Sequence, residues 1–123
     1  MPEKQTVAVL GASTNREKYG NKSVRAHLRA GWEVYPVNPR ADEIEGLKCY
    51  PNLREIPTHL NRVTVYLPPK LGLAAIEEIA AVKPDEVYLN PGAESPELVA
   101  RARELGLEPI QACSIIEIGQ RPD

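Results

Sequence analysis

Apolar and polar positions along this chain repeat with two alternating periods. Five short runs rich in β-branched and apolar residues have the length of buried strands: Thr6–Leu10, Glu33–Val37, Arg62–Leu67, Asp85–Leu89 and Glu108–Ala112. Between them the spacing is helical. Within Asn21–Ala30, Val24 and Leu28 lie one turn apart on an inner face, Lys22, Arg25 and Arg29 are placed to face water, and Gly31 provides a stop. Leu71, Ala75, Ile76, Ile79 and Ala80 form a second inward stripe, opposed by Glu77, Glu78 and Lys83. Ser95 is a good N-cap with Pro96 in the first helical position. The helix it opens carries Leu98, Ala102 and Leu105 on one side and a favourable Glu97–Arg101 pair on the other, and ends at Gly106. From Ala41 to Pro57 the pattern is weak, broken by Gly46, Pro51 and Pro57, and supports only a helical turn around Asn52–Ile56. Cys113–Ile118 closes the chain.

Strands alternating with helices predict one α/β domain over residues 1–123, in a Rossmann-like three-layer fold: a five-stranded parallel sheet with right-handed crossovers and helices on both faces. The expected strand order is 3-2-1-4-5, with its switch point between the first and fourth strands. Pro36 is awkward within the second strand, since a central strand loses a ladder hydrogen bond there, but Val34, Tyr35 and Val37 offer no helical alternative and the strand is kept.

Ligands of such sheets bind outside the carboxyl ends of the strands, at the switch. Four loops lie there: Gly11 to Arg16, Asn38 to Arg40, Leu67 to Lys70 and Asn90 to Ser95, with Cys113 to Ile116 as a further candidate. In the first, a strand, a loop begun by Gly11 and a helix N-terminus follow in that order, which is an anion-binding arrangement, because the helix leaves its leading N–H groups unpaired. The loop is not the dinucleotide fingerprint. Ser13 and Arg16 stand where G-x-G-x-x-G needs glycine, and the second glycine comes only at Gly20. Ser13, Thr14, Asn15, Arg16 and Lys18 offer side-chain donors in its place, suited to phosphate.

Composition narrows the classes. The chain is 42% apolar and 26% charged, ordinary for a soluble domain, and its net charge of −2 argues against a general nucleic-acid or anionic-membrane binder. No apolar run reaches the length of a membrane span, and Met1–Lys4 lacks a signal-peptide core, so a cytoplasmic protein is expected. Cys49 and Cys113 have no metal-ligand spacing; no metal site is expected. Twelve prolines fall singly or in pairs at the ends of apolar runs, where they stiffen the loops.

The second strand ends in Asn38-Pro39-Arg40, where an NAD site has Asp or Glu. A guanidinium here suits a phosphorylated adenosine ribose, as in NADP or coenzyme A. Set against that role, Arg40 has Asp42 and Glu43 as near neighbours in sequence, which would leave it a solvated loop cation.

Several stretches together carry a resemblance: Val9–Ser13, Tyr19–Asn21, Val34–Pro39, Gly46–Pro51 with Ile56-Pro57, Tyr66–Pro69, Asn90–Ala93 and Ala112–Glu117. In this order and spacing the sequence resembles the stand-alone coenzyme A-binding domain proteins, which are similar to the N-terminal domain of the succinyl-CoA synthetase α subunit. The resemblance covers nearly the whole chain. It implies coenzyme A or an acyl-CoA as the small-molecule ligand, with the diphosphate at Ser13 to Arg16 and the adenosine near Asn38 to Arg40. The pantetheine arm would pass Pro68, Pro69 and Asn90 to Gly92. The expected cofactor-binding residues are Gly11, Ala12, Ser13, Thr14, Arg16, Lys18, Asn38, Pro39, Arg40, Leu67, Pro68, Pro69, Asn90, Pro91, Gly92 and Ala93. It implies a carrier or sensor with no catalytic residue of its own. An NADP-linked oxidoreductase component and an interaction domain without ligand are the alternatives.

The remaining reactive side chains are read as structural. His27 lies on a helix and His59 in a loop, and a lone histidine in such a place more often packs or is solvated than binds a ligand. Cys113, at the end of the last strand, could exchange a disulfide with the coenzyme's thiol, but a small buried apolar role is the simpler reading, as it is for Cys49. Glu94 favours the helix N-terminus that follows it rather than acting as a base.

Overall fold

The computed structural model describes residues 4–122. Strand β1 (Thr6–Leu10) is buried along its whole length. It leads into helix α1 (Tyr19–Arg29) and strand β2 (Glu33–Val37), then a small hairpin of β3 (Glu43–Ile44) and β4 (Leu47–Lys48) and a 3-10 turn at Leu53–Glu55. Next come β5 (Arg62–Val65), α2 (Pro69–Val82), β6 (Glu86–Leu89), α3 (Pro96–Glu104), β7 (Ile110–Gln111) and α4 (Ser114–Glu117). The five long-range strands pair in parallel.

The α/β class and the five-stranded parallel sheet are as expected, but the order is not. The sheet runs β2-β1-β5-β6-β7, so the third parallel strand lies beside the first and on the side away from the second. In the count used above this is 2-1-3-4-5 instead of 3-2-1-4-5, and the switch falls between the first and third strands. The physical reason lies in Pro36. Glu33 N donates to Gln5 O and Gly11 N to Val37 O, so the odd-numbered residues of β2 face β1. Pro36 therefore turns its donor-less nitrogen to the outer edge, where it breaks no ladder bond to β1. That edge is closed by Tyr50, which donates its N–H to Pro36 O at 2.9 Å and accepts from Asn38 N at 3.0 Å. No strand is added there, and the sheet grows from the other side of β1. The hairpin that brings Tyr50 into place turns on Glu45 and Gly46, both at positive φ (51° and 78°), the backbone of a tight two-residue turn.

Two apolar layers sandwich the sheet. Ala8, Leu10, Val63, Val65, Val87 and Leu89 pack under α2 and α3. Val7, Val9 and Val34 pack on the opposite face with Val24 of α1, Trp32 and Ile44 of the hairpin. Ser95 caps α3 as expected, its Oγ accepting from Leu98 N at 3.1 Å. Three helix-face expectations need correction. On α2 Ile76 and Ile79 turn inward, but Leu71, expected on the same stripe, is 55% exposed. On α1 the residue that turns inward with Val24 is His27, at 0% exposure, while Leu28 is 38% exposed. Arg101 pairs with Glu77 of α2 at 2.8 Å and with Glu104 at 3.6 Å, not with Glu97.

Candidate functional site

The switch opens a cleft of about 1270 Å³ at the carboxyl edge of the sheet, between β1 and β5. Its floor is made by two close approaches. Gly11 ends β1 at φ +94°, and a Cβ there would meet the Tyr66 carbonyl carbon and oxygen at 3.0 and 3.1 Å. Gly20, in the first turn of α1, approaches more tightly: its Cβ would lie 2.2 Å from Gly11 O. The second glycine of the loop thus seats the helix on the strand end.

The walls are tied to each other through the backbone. Gly11 N and Ala12 N both donate to Val37 O, at 3.2 and 3.3 Å. Asn38 Nδ2 donates to Ala12 O at 2.8 Å, and Asn38 Oδ1 accepts from Arg40 N at 2.8 Å, which fixes the turn that presents Arg40. The first loop folds on itself, with Ser13 Oγ accepting from Asn15 N and Asn15 Oδ1 from Glu17 N, each at 3.0 Å. At its end Lys18 is the N-cap residue of α1 in an extended conformation. No side chain caps the helix, and its first turn contains no acidic residue. The cleft therefore receives the positive end of an eleven-residue helix with its leading amides uncapped. Among the described residues neither Lys18 nor Arg40 has a carboxylate within ion-pair distance. Asp42 and Glu43 leave Arg40 unpaired, and both cations border the cleft.

The sequence model of a CoA-binding domain matches residues 5–119. The chain belongs to the CoA-binding domain family. It is 38% identical over 74 residues to the ADP-forming acetate–CoA ligase I of Archaeoglobus fulgidus, a stretch that is 60% of this chain and 11% of the ligase. The chain thus spans only about a tenth of the length of that relative. Among solved structures it is similar to a conserved hypothetical protein from Pyrococcus furiosus, at 37% identity and a TM-score of 0.83 over 94% of this chain and 99% of the other. It is also similar to the dinucleotide-forming acetyl-coenzyme A synthetase 1 of Ca. Korarchaeum cryptofilum in complex with phosphate and ADP. There the identity is 30% and the TM-score 0.77, over 88% of this chain and 25% of the synthetase.

In this CoA-binding domain most of the residues singled out from sequence come together. Gly11, Ala12, Ser13 and Lys18 line the cleft from the first loop, Asn38, Pro39 and Arg40 from the second. Leu67 and Pro68 line it from the third, and Asn90, Pro91, Gly92 and Ala93 from the fourth. Three others do not reach it. Thr14 is exposed and does not line the cleft. Arg16 turns away, its Nε 3.4 Å from Glu45 Oε2 and its carbonyl accepting from Arg25 at 2.7 Å. Pro69 opens α2 behind Pro68. Asn90 lines the floor, but its amide is already fully used. Nδ2 donates to Thr64 Oγ1 and Val65 O, and Oδ1 accepts from the N–H and the hydroxyl of Ser114, all within 3.0 Å. Its side chain ties α4 to the sheet and has no bond to spare.

Asn21 was not anticipated. Fully buried in the first turn of α1, it donates to Ser13 O and Glu45 Oε2 and accepts from Arg25 Nε, so it holds the first loop on the helix. Its visible signals are its place after Gly20, within a helix otherwise read by its apolar spacing, and the stretch Tyr19–Asn21 that helps carry the resemblance. The cleft also takes in Tyr19, Tyr66, Leu71, Cys113 and Ile116. Glu78 lines it too, but is engaged by Leu53 N at 3.3 Å and Arg54 at 3.7 Å.

The other reactive groups fall where simple packing would put them. Cys49 is buried, and burial pushes its thiol up. Tyr66 donates to or accepts from Ser114 Oγ at 3.1 Å, and burial likewise raises its phenol. Glu94 accepts from Gly92 N at 3.3 Å, within its own loop. His59 is exposed and lies 2.8 Å from Asp85, whose carboxyl is held low by hydrogen bonds from Asn61 and His59. His27 and Arg62 form a buried centre at the amino end of the sheet. The Arg62 guanidinium lies 4.6 Å from the Trp32 ring centre and 4.3 Å from that of Tyr88, and pairs with Glu86 at 2.7 Å and Glu117 at 2.6 Å. His27 Nδ1 lies 2.9 Å from Ser23 O, and Nε2 is 3.5 Å from Arg62. Burial first, then the nearby guanidinium, takes His27 down to about 4, with the Ser23 carbonyl opposing. No helix among the described residues is long and apolar enough to cross a membrane.

Proposed function

We propose that this domain binds coenzyme A or an acyl-CoA in the switch-point cleft and holds it as a carrier or sensor without transforming it. The observation that carries the reading is that the N-terminus of α1, with no side-chain cap, and the two cations Lys18 and Arg40, with no carboxylate at ion-pair distance among the described residues, border one cleft. A diphosphate on the α1 amides, Ser13 and Lys18 uses both the helix dipole and a charge. Arg40, one strand further out, then meets the phosphate on the adenosine ribose. The pantetheine arm runs between Pro68 and Pro91 over Gly92, which presents backbone without a side chain. Family membership and the likeness to acetate–CoA ligases support the choice of coenzyme A over NADP. Both histidines lie away from the cleft, which supports binding without phosphoryl transfer through a histidine.

Isothermal titration with coenzyme A, 3′-dephospho-coenzyme A and NADP tests the reading. Coenzyme A should bind most tightly. Arg40→Ala should weaken coenzyme A roughly five- to tenfold, as expected for an exposed charge-assisted bond, and leave the dephospho form nearly unchanged. Equal losses for both ligands would remove the role assigned to Arg40, and preferential binding of NADP would overturn the ligand. Acetyl-CoA incubated with the protein, ADP and phosphate should remain intact; its consumption would overturn the carrier role.

A further inference from the structure

Among the described residues five large apolar side chains are exposed: Tyr19, Leu28, Leu71, Ile110 and Ile116. Three of them, Tyr19, Leu71 and Ile116, line the same cleft. They come from three different helices. Leu71 is in the first turn of α2, on one face of the sheet, and is 55% exposed. Ile116 is in α4, which packs with α1 on the other face, and is 64% exposed. Tyr19 opens α1 beside Lys18, with Lys22 Nζ 4.9 Å from its ring centre. Scattered single exposures need no explanation, but apolar side chains gathered around one concavity from separate elements do.

The cleft is therefore amphipathic. Ser13, Lys18 and Arg40 and the α1 amides make one part anion-seeking, while Leu71 and Ile116, with Pro68 and Pro91, make another part apolar. The phosphates of coenzyme A account for the first part and give no reason for the second. A ligand that covers both carries polyanionic charge at one end and hydrocarbon at the other.

We infer that Leu71 and Ile116 form an acyl-binding rim, and that the preferred ligand is a coenzyme A thioester of an apolar acyl group rather than coenzyme A itself. This rests on the coenzyme A reading of the cleft and makes its ligand more specific. The rim is continuous with the phosphate-binding part of the cleft, so a thioester anchored at Lys18 and Arg40 delivers its acyl chain there. Leu71 and Ile116 close over it from opposite faces of the sheet.

Burying a methylene strengthens binding up to about fourfold, so a half-covered rim should give roughly two- to threefold per carbon. The test is titration of the whole protein with coenzyme A, acetyl-, butyryl- and hexanoyl-CoA, for the native sequence and for Leu71→Ser and Ile116→Ser. Both side chains are exposed, and unchanged thermal melting will show that the variants fold. Affinity should rise along the series, and in each variant that rise should flatten while binding of free coenzyme A stays the same. Binding of coenzyme A with no gain from the acyl chain, or a gain that both variants keep, overturns the inference and leaves the coenzyme A site standing. Failure of every coenzyme A species to bind overturns both. A change in sedimentation mass in the variants, with the acyl dependence intact, would assign the rim to contact with a second copy and also overturn it.

Discussion

Gly20→Ala should destabilise this domain even though glycine-to-alanine changes inside helices normally stabilise. Alanine is favoured over glycine by about 1 kcal/mol in a helix interior. At Gly20 the added methyl would sit 2.2 Å from Gly11 O, 3.1 Å from Gly11 C and 3.2 Å from Ala12 Cα. All three are backbone atoms, so no side chain can rotate out of the way. The loop that carries them is itself held by the bonds of Gly11 N and Ala12 N to Val37 O and of Asn38 to Ala12 O. Relief requires the start of α1 to lift off β1. Overpacking of this kind costs about 1–3 kcal/mol and more where the backbone is fixed, so a net loss of roughly 2 kcal/mol remains after the propensity gain. Urea denaturation should show the midpoint falling by about 1 M with an unchanged slope. Gly31→Ala serves as the comparison: Gly31 has φ +88° and nothing within 4 Å, so its loss of about 1 kcal/mol would come from the left-handed backbone alone. Coenzyme A affinity should drop in Gly20→Ala, where the helix end is displaced, and hold in Gly31→Ala. A Gly20→Ala protein as stable as the native chain would refute the close approach of helix and strand on which the cleft depends.

Other expectations test the buried polar groups. His27 is neutral in the folded state, with its pKa down from 6.5 to about 4. The unfolded chain therefore binds the extra proton first, and its stabilising effect is full above pH 6.5 and lost as pH falls towards 4. The difference amounts to about 3 kcal/mol, and His27→Gln should flatten that part of a pH–stability curve measured by denaturation. Asn90→Ala strands partners on Thr64, Val65 and Ser114. It should cost about 2–4 kcal/mol by urea melting, and Asn90→Asp should not restore it, because a carboxylate cannot donate to Val65 O. Arg62→Ala removes the side chain packed between Trp32 and Tyr88 and releases Glu117 of α4. A stability loss of about 2–3 kcal/mol should appear together with faster amide exchange in α4, and Arg62→Lys should recover only part of it.

Much of this architecture is local and was legible in residue order. The periods of two and 3.6, Ser95-Pro96 at a helix start and Gly31 and Gly106 at helix ends act through their own backbone and near neighbours, so element types and most loop positions follow from them. The four strand-end loops were identified in the same way, because in parallel βα units every strand points its carboxyl end to the same edge. Strand order was a different matter. From sequence Pro36 read only as awkward within a strand; that β2 lies at the edge became visible only with Tyr50 seated on its outer side after a hairpin that Glu45 and Gly46 turn. The polarity of one sheet face was hidden for a similar reason. Arg62, Thr64 and Asn90 interrupt apolar runs, and they are stable inside only because His27, Ser114 and Glu117 arrive from elsewhere in the chain.

The sequence by itself determined that a parallel α/β domain would gather its strand-end loops at one edge, since that depends on periodicity and on glycines and prolines at strand ends. Only the tertiary structure decided which side chains meet there. It sent Arg16 to Glu45, consumed the amide of Asn90 in holding α4, left Arg40 unpaired, and brought Leu71 and Ile116 to the same cleft. Those outcomes depend on competition for partners across distant elements, and such partners have no signature in spacing along the chain.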